Sequence, residues 1–326
     1  MKNIVIFGGA GFIGTNLTKR LLSEGNKVLC IDDLSTSSEK NVKLFIDNEN
    51  YKFIKADIVY AFNTDWLYNE IDLFFSSQLL IPAKLDEIYN LACPASPPKY
   101  QIDPLHTLYT CTAIDDICRM AHFYKCKILH ASTSEVYGDP TVHPQVETYR
   151  GNVNTIGPRS CYDEGKRVAE TFCYEWHKKG VDIKLVRIFN TYGPYMDPND
   201  GRVVSNFIMQ MLQDKDITIY GDGTQTRSFQ YIDDLLDGFE KLMNSDELGP
   251  FNIGNPQEYT INNFVKVISK CIPETKSKII YCDLPKDDPT QRKPDITMAK
   301  HLLHWEPKVS VNEGIQKTVE YFKTLL

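Results

Sequence analysis

The sequence predicts an α/β fold, a doubly wound parallel sheet with a smaller C-terminal substrate-binding lobe. Three observations carry the prediction. The opening run Ile4-Val5-Ile6-Phe7 is apolar and strand-length; it meets glycines at positions 8, 11 and 14, then a helical pattern through Leu17, Leu21 and Leu22. Further strand-type runs follow at intervals filled by helix-length segments, the βαβ rhythm of a parallel sheet. Beyond about Asn190 that rhythm breaks into short pieces rich in Gly, Asn and Pro, such as Asn190-Thr191-Tyr192-Gly193-Pro194 and Tyr220-Gly221-Asp222-Gly223. Residues 1–190 therefore read as a nucleotide-binding domain and 191–326 as the smaller lobe. Within the latter, 228–245, helix-patterned from Ile232 to Met243, is a candidate to return to the first domain.

Composition bounds the function. A chain of 326 residues buries an ample core. A formal net charge of -7 argues against nucleic acid, whose phosphates need clustered Lys and Arg. The nine cysteines show no Cys-x-x-Cys spacing, so no zinc site, other metal site or disulfide framework is signalled, and they are expected to be mostly reduced and buried. Met1 to Phe7 holds too short an apolar run for a signal peptide, and no segment approaches the roughly 20 apolar residues of a membrane span. The expected compartment is the cytoplasm, with no membrane partner.

Taken in order, the Gly8/Gly11/Gly14 turn allows a tight strand-to-helix reversal, close backbone approach to a pyrophosphate and tight helix packing, with the phosphates at the positive helix end. The second strand, Lys27 to Ile31, ends at Asp32-Asp33, where a carboxylate suits a ribose 2′-hydroxyl and repels a 2′-phosphate, so NAD is expected over NADP. This strand, turn, helix and acid predict a Rossmann-type dinucleotide site. Tyr51 to Ile54, Glu87 to Leu91, Lys127 to His130 and Asp182 to Val186 supply the next strands. Asp57, just past the third, is a candidate for the adenine edge. Thr64 to Leu85 reads as a helix with an uncertain connection.

The fifth strand runs into Ala131-Ser132-Thr133-Ser134-Glu135, at the carboxyl end where an open parallel sheet binds its ligand. Thr133 is placed to hydrogen-bond a reacting hydroxyl, and Glu135 to serve as acid, base or electrostatic partner. About thirty residues on, Tyr162-Asp163-Glu164-Gly165-Lys166 sets a phenol and an ammonium on one helix face. A free phenol, with its pKa near 10, is a poor base. A neighbouring ammonium and a cationic nicotinamide favour the phenolate, a base for a sugar hydroxyl.

Thr133-Ser134-Glu135, Tyr162-x-x-x-Lys166 and the glycine turn together resemble the extended short-chain dehydrogenase/reductase superfamily of nucleotide-sugar epimerases, dehydratases and decarboxylases. Longer strings are similar to the UDP-glucuronate decarboxylases, the UDP-xylose synthases: Leu91 to Pro98, Tyr137 to Pro144, Gly157 to Glu170, Asp200 to Phe207, Gln225-Thr226-Arg227 and Gln291 to Ile296. The resemblance runs nearly end to end and is dense from Ser132 onward.

It implies oxidation of UDP-glucuronate at C4, loss of carbon dioxide from the resulting β-keto acid, and re-reduction by retained NADH. Its implied catalytic residues are Thr133, Glu135, Tyr162, Lys166 and Arg292, with Glu135 and Arg292 flanking the carboxylate. For NAD it implies Gly8, Gly11, Phe12, Ile13, Gly14, Asp32, Asp57, Ile58, Leu91 and Ala92 beside Tyr162 and Lys166. For the UDP-sugar it implies Pro94, Ser134, Glu135, Asn190, Arg202, Val203, Tyr220, Gln225, Arg227 and Arg292, with Arg202 and Arg227 near the diphosphate and uracil. It also implies a homodimer, paired through the helices at Pro104 to Phe123 and Tyr162 to Trp176.

The chain departs from the family pattern in places. Cys111 stands where an Asn is common, replacing an amide that supports the active site with a weaker hydrogen-bonding thiol. Thr64 to Ala83 is longer than the pattern, and the Ser35 to Lys40 turn lacks a usual arginine, for which Lys40 is the candidate replacement. Rival readings are an oxidative decarboxylase releasing UDP-4-keto-pentose and NADH, a 4,6-dehydratase, a 4-epimerase, and a non-catalytic NAD-binding protein. Ser134 where dehydratases carry Asp counts against dehydration, and the presence of Tyr162 and Lys166 counts against a non-catalytic role.

Overall fold

The computed structural model describes residues 1–76, 82–285 and 288–326. Six parallel strands come from the first part of the chain: β1 (Asn3–Phe7), β2 (Lys27–Asp32), β3 (Tyr51–Lys55), β4 (Glu87–Asn90), β5 (Lys127–Thr133) and β6 (Ile183–Ile188). Each begins within one residue of its expected start. A seventh strand, Phe251–Ile253, pairs parallel with β6 through Phe251 and Val186. The sheet order is Phe251–Ile253, β6, β5, β4, β1, β2, β3, so the order reverses between β1 and β4. That switch opens a crevice beyond the carboxyl ends of both strands.

Side-chain alternation builds a core on each face. Ile4 and Ile6 of β1 join Leu235, Phe239 and Ile253 on one side, while Val5 and Phe7 join Ile88, Ile114 and Ile117 on the other. The Ile232–Met243 helix is seated on the first of these faces: Phe239 stacks on Tyr89 of β4 at 6.5 Å, and Asp237 pairs with Arg20 at 2.6 Å. The same core continues through Phe229 and Phe264, whose rings stack at 3.9 Å.

Two expected helices are modified. Pro104 to Phe123 is divided at Ala113 into Pro104–Thr112 and Ile114–Tyr124. The Thr64 to Leu85 reading yields a helix only at Trp66–Phe75, ended by extended backbone at Ser76; its positions 77–81 lie outside the described residues. The tyrosine helix runs Ser160–Lys178.

One small sheet positions the site. Thr226–Ser228 lies between Glu258–Thr260, antiparallel, and Gln291–Arg292, parallel. Its register sets Arg292 opposite Arg227.

Candidate active site

The crevice at the switch point is a cavity of about 980 Å³. Gly8, with φ +77°, passes so close to the next strand that a Cβ there would stand 2.7 Å from the Ala92 nitrogen and the Leu91 carbonyl carbon. A Cβ on Gly14 would meet the Gly8 oxygen at 2.3 Å, whereas one on Gly11 would touch only that oxygen, at 3.4 Å. The turn is therefore locked at Gly8 and Gly14 and open above Gly11, a backbone cradle fitted to a pyrophosphate.

Asp32 and Asp57 are more occupied than their spacing suggests. Asp32 is buried and accepts from Ala10 N at 3.0 Å, Leu34 N at 2.9 Å and Ser37 Oγ at 2.8 Å, bracing the glycine turn. Burial raises its pKa against these hydrogen bonds. Asp57 caps the short Ile58–Ala61 helix at Val59 N and holds His106 Nε2 at 2.8 Å. Burial lowers the pKa of His106, but the Asp57 bond and charge outweigh it and the net shift is upward. Asp33, Asp57 and His106 bring ligand-type atoms within 4.8 Å of one another.

Among the expected cofactor residues, Gly8, Gly11, Phe12, Ile13, Gly14 and Leu91 line the cavity, with Lys40 also in its wall. Asp32, Asp57, Ile58 and Ala92 are not part of that lining. Of the expected substrate residues, Ser134, Glu135, Asn190, Arg202, Val203, Tyr220, Gln225 and Arg227 line it; Pro94 and Arg292 do not.

Thr133, Tyr162 and Lys166 share the cavity wall. The Tyr162 ring lies flat on Tyr100, centroids 5.0 Å apart at an interplanar angle of 1°. Lys166 Nζ donates to Ala131 O at 2.8 Å and stands 5.9 Å from the Tyr162 ring centre. Burial raises the phenol pKa well above its ordinary value, Cys93 adds to the rise, and a hydrogen bond with Thr133 opposes it. The one-face geometry predicted from the sequence is present, but these side chains alone keep the phenol protonated.

A cluster of guanidiniums surrounds Glu135. Its carboxylate accepts from Arg159 Nη2 at 2.6 Å and from Arg292 Nη2 at 3.1 Å. Arg292, 1% exposed, also donates to Ser134 O and to Gly138 O at 2.9 Å. Asp288 closes the group, 2.9 Å from Arg227 and 3.5 Å from Arg159. Burial works to raise the pKa of Glu135, but Arg292, Arg159 and Arg227 bring it down to about 2. Asp163 has one oxygen 3.9 Å from Arg159 Nε and the other buried without a partner among the described residues; burial and the Glu135 charge lift it to about 7. The two carboxylates thus divide the roles, Glu135 ionised and Asp163 the proton holder.

Arg159, Asp163 and Asp288 were not among the expected site residues. Arg159 precedes the tyrosine helix and lies 129 positions before Asp288, a separation for which sequence offers no signal. Arg202, at the start of the Val203–Leu212 helix, forks onto Asp200.

A family model described as GDP-mannose 4,6 dehydratase matches residues 5–318. UDP-glucuronic acid decarboxylase 1 of Xenopus tropicalis is 48% identical over 324 residues, covering 99% of this chain and 72% of that protein. UDP-glucuronic acid decarboxylase 4 of Arabidopsis thaliana is 45% identical over 322 residues, 98% of this chain and 68% of that one. Among solved structures, UDP-glucuronic acid 4-epimerase of Bacillus cereus, in complex with UDP-glucuronic acid and NAD, superposes with a TM-score of 0.85 at 28% identity, covering 100% of both chains. UDP-glucose 4-epimerase of Thermotoga maritima gives a TM-score of 0.87, also at 28% identity, over 99% of each.

Proposed function

The chain belongs to the UDP-glucuronic acid decarboxylases of the GDP-mannose 4,6-dehydratase family, and from that membership we propose that it converts UDP-glucuronate into UDP-xylose and carbon dioxide. One observation carries the choice of an acidic sugar. Arg159, Arg227 and Arg292 bring three positive charges against the two of Glu135 and Asp288, and Asp163, lifted to about 7, is only half ionised at neutral pH; the arithmetic, three minus two minus part of one, leaves the cluster with a net charge between zero and plus one. A uronate carboxylate supplies the missing negative charge.

NAD, when bound, supplies the acceptor and donor of hydride at C4 of the sugar. Gly8, Gly11 and Gly14 present the backbone for its pyrophosphate, with Phe12, Ile13, Leu91 and Ala92 beside them. Asp32 braces the turn and would hold the ribose; Asp57 and Ile58 would meet the adenine. Tyr162 takes the C4 hydroxyl proton as its phenolate, the form a cationic nicotinamide would favour against burial, with Thr133 in the same hydrogen-bonded line and Lys166 fixing the local charge. Oxidation at C4 makes the carboxylate that of a β-keto acid, whose electrons on loss of carbon dioxide pass to the C4 oxygen. The protonated Tyr162 phenol and Thr133 hydroxyl stabilise that oxygen. Glu135, held ionised by Arg292 and Arg159, orients these guanidiniums along the departing carboxylate. Arg202 and Arg227, paired with Asp200 and Asp288 in the cavity wall, are the cations for the diphosphate, and Ser134, Asn190, Val203, Tyr220 and Gln225 line the UDP-sugar pocket, with Pro94 between the lining residues Cys93 and Ala95.

The lobe over the substrate consists of residues 191–326 apart from the Ile232–Met243 helix and the Phe251–Ile253 strand, which serve the sheet. Leu105, Tyr109 and Phe123 on one helix pair, and Val168 and Tyr174 on the neighbouring helix, are exposed. Apolar area of that kind supports a homodimer through these helices. No helix among the described residues is long and apolar enough to cross a membrane. All nine cysteines are free thiols, which accords with action in the cytoplasm.

Incubating the protein with UDP-glucuronate and NAD, with products read by NMR and mass and NADH by absorbance, tests the reading. UDP-xylose without lasting NADH is expected. Accumulated NADH with a 4-keto-pentose assigns an oxidative decarboxylase instead, and intact UDP-glucuronate overturns the substrate.

A further inference from the structure

Cys93 and Cys111 lie 18 positions apart in sequence with their sulfurs 3.5 Å apart. Cys93 stands in the cavity wall. Cys111 is buried on the Pro104–Thr112 helix against Gly165, where a Cβ would come within 3.0 Å of its sulfur. Gly165 directly precedes Lys166, so the pair rests on the turn that carries Tyr162 and Lys166.

We propose that this pair is an oxidative modification site: a small disulfide of the glutathione class converts it into a Cys93–Cys111 disulfide that switches the active site off, and thiols reverse it. Cys93 attacks first, because it lines the cavity and Cys111 does not. The hydrogen bond from Cys111 favours its thiolate, burial opposes this, and the Lys166 charge favours it again. Cys93 sulfur bonds to one sulfur of the small disulfide and expels the other as a thiolate. Cys111 passes its proton to that thiolate, attacks Cys93 sulfur and releases the second small thiol. Two protons and two electrons leave the pair and appear on two small thiols. Closing the sulfurs from 3.5 Å to about 2.05 Å displaces them by about 1.5 Å relative to each other and pulls on the segments that carry Cys93 and Cys111. A shift of that size beside Tyr162 and Lys166 lowers turnover on the order of a hundredfold.

Cys118 and Cys173 provide an internal comparison, being hydrogen-bonded to each other and fully buried between two helices. They have the same chemistry without access.

The test incubates the full chain with oxidised glutathione, alkylates the remaining thiols, maps the peptides, and compares decarboxylation before and after dithiothreitol. A Cys93–Cys111 disulfide, a hundredfold loss and full recovery are expected. Cys111→Ser should hold Cys93 as a glutathione mixed disulfide, and Cys93→Ser should react at neither position, each read as the ratio of oxidised to reduced material. Nine free thiols, a disulfide at Cys118–Cys173 or Cys93–Cys161 instead, or a Cys93–Cys111 disulfide that leaves the rate within about twofold, each overturns the proposal. The peptide map reads the bond without reference to any reaction, so its outcome is separable from that of the decarboxylase assignment.

Discussion

Glu135 and Arg292 form an ion pair of 3.1 Å in which the guanidinium also closes hydrogen bonds to Ser134 O and Gly138 O. One side chain therefore joins the end of β5 to the three-stranded sheet that carries Arg227. Arg292→Ala leaves two backbone acceptors and part of a carboxylate unpaired in a buried place, an expected loss of roughly 3–5 kcal/mol by denaturant unfolding. The Glu135 pKa is depressed from 4.5 to about 2, so its contribution is complete above 4.5 and lost as pH falls through 2. In Arg292→Ala that loss moves to higher pH. A variant as acid-stable as the parent, with a loss below about 1 kcal/mol, would contradict this account of the pair.

Tyr162→Phe separates chemistry from packing. The ring keeps its flat contact with Tyr100 and loses only the hydrogen bond with Thr133, so stability should fall by about 0.5–1.5 kcal/mol. Without the phenolic proton carrier, kcat should fall by about 10²–10⁴ with KM little altered. Because burial holds the phenol protonated, the parent rate should rise with pH as the phenolate becomes available, and the variant profile should lose that limb. A pH-dependent rise that persists in Tyr162→Phe assigns the base elsewhere.

Asp163 makes an opposite pH prediction to Glu135. Its pKa rises from 3.8 to about 7 on folding, so between those values the folded chain binds more protons than the unfolded chain and stability falls as pH rises. Asp163→Asn cannot ionise and should flatten this part of the curve, raising the midpoint of thermal unfolding at pH 7.5 by about 2–4 °C per kcal/mol recovered. Melting curves of parent and variant from pH 4 to 8 make the comparison; parallel curves would show that the proton is not held at Asp163.

The contrast between these residues marks where sequence is informative. The starts of β1 to β6, the glycine turn, the Ile232–Met243 helix and the common face of Tyr162 and Lys166 all follow from local periodicity and spacing. The Phe251–Ile253 strand does not, because three residues between Gly249-Pro250 and Gly254 are too few to establish a period. The Tyr162 proton balance was not legible either: it depends on burial and on Cys93, 69 positions away in sequence. Arg159 with Asp288, and Cys93 with Cys111, meet only through the fold, so neither has a sequence signature.

The glycine turn allows a prediction in which neighbouring substitutions have different effects. At Gly14 a methyl group would sit 2.3 Å from the Gly8 oxygen and 2.6 Å from the Gly9 Cα, both backbone atoms that cannot swing away. Overpacking of about 1–3 kcal/mol then exceeds the gain of roughly 1 kcal/mol from replacing Gly by Ala in a helix. At Gly11 the same methyl makes an ordinary 3.4 Å contact and projects into the space kept for a pyrophosphate. Gly11→Ala should therefore melt with the parent in the absence of cofactor yet lose at least about 1.4 kcal/mol of NAD binding, a tenfold rise in Kd. Gly14→Ala should melt lower whether or not NAD is added. Calorimetry of NAD binding beside cofactor-free melting separates the two effects. Unchanged NAD affinity in a well-folded Gly11→Ala would mean the pyrophosphate lies away from this turn.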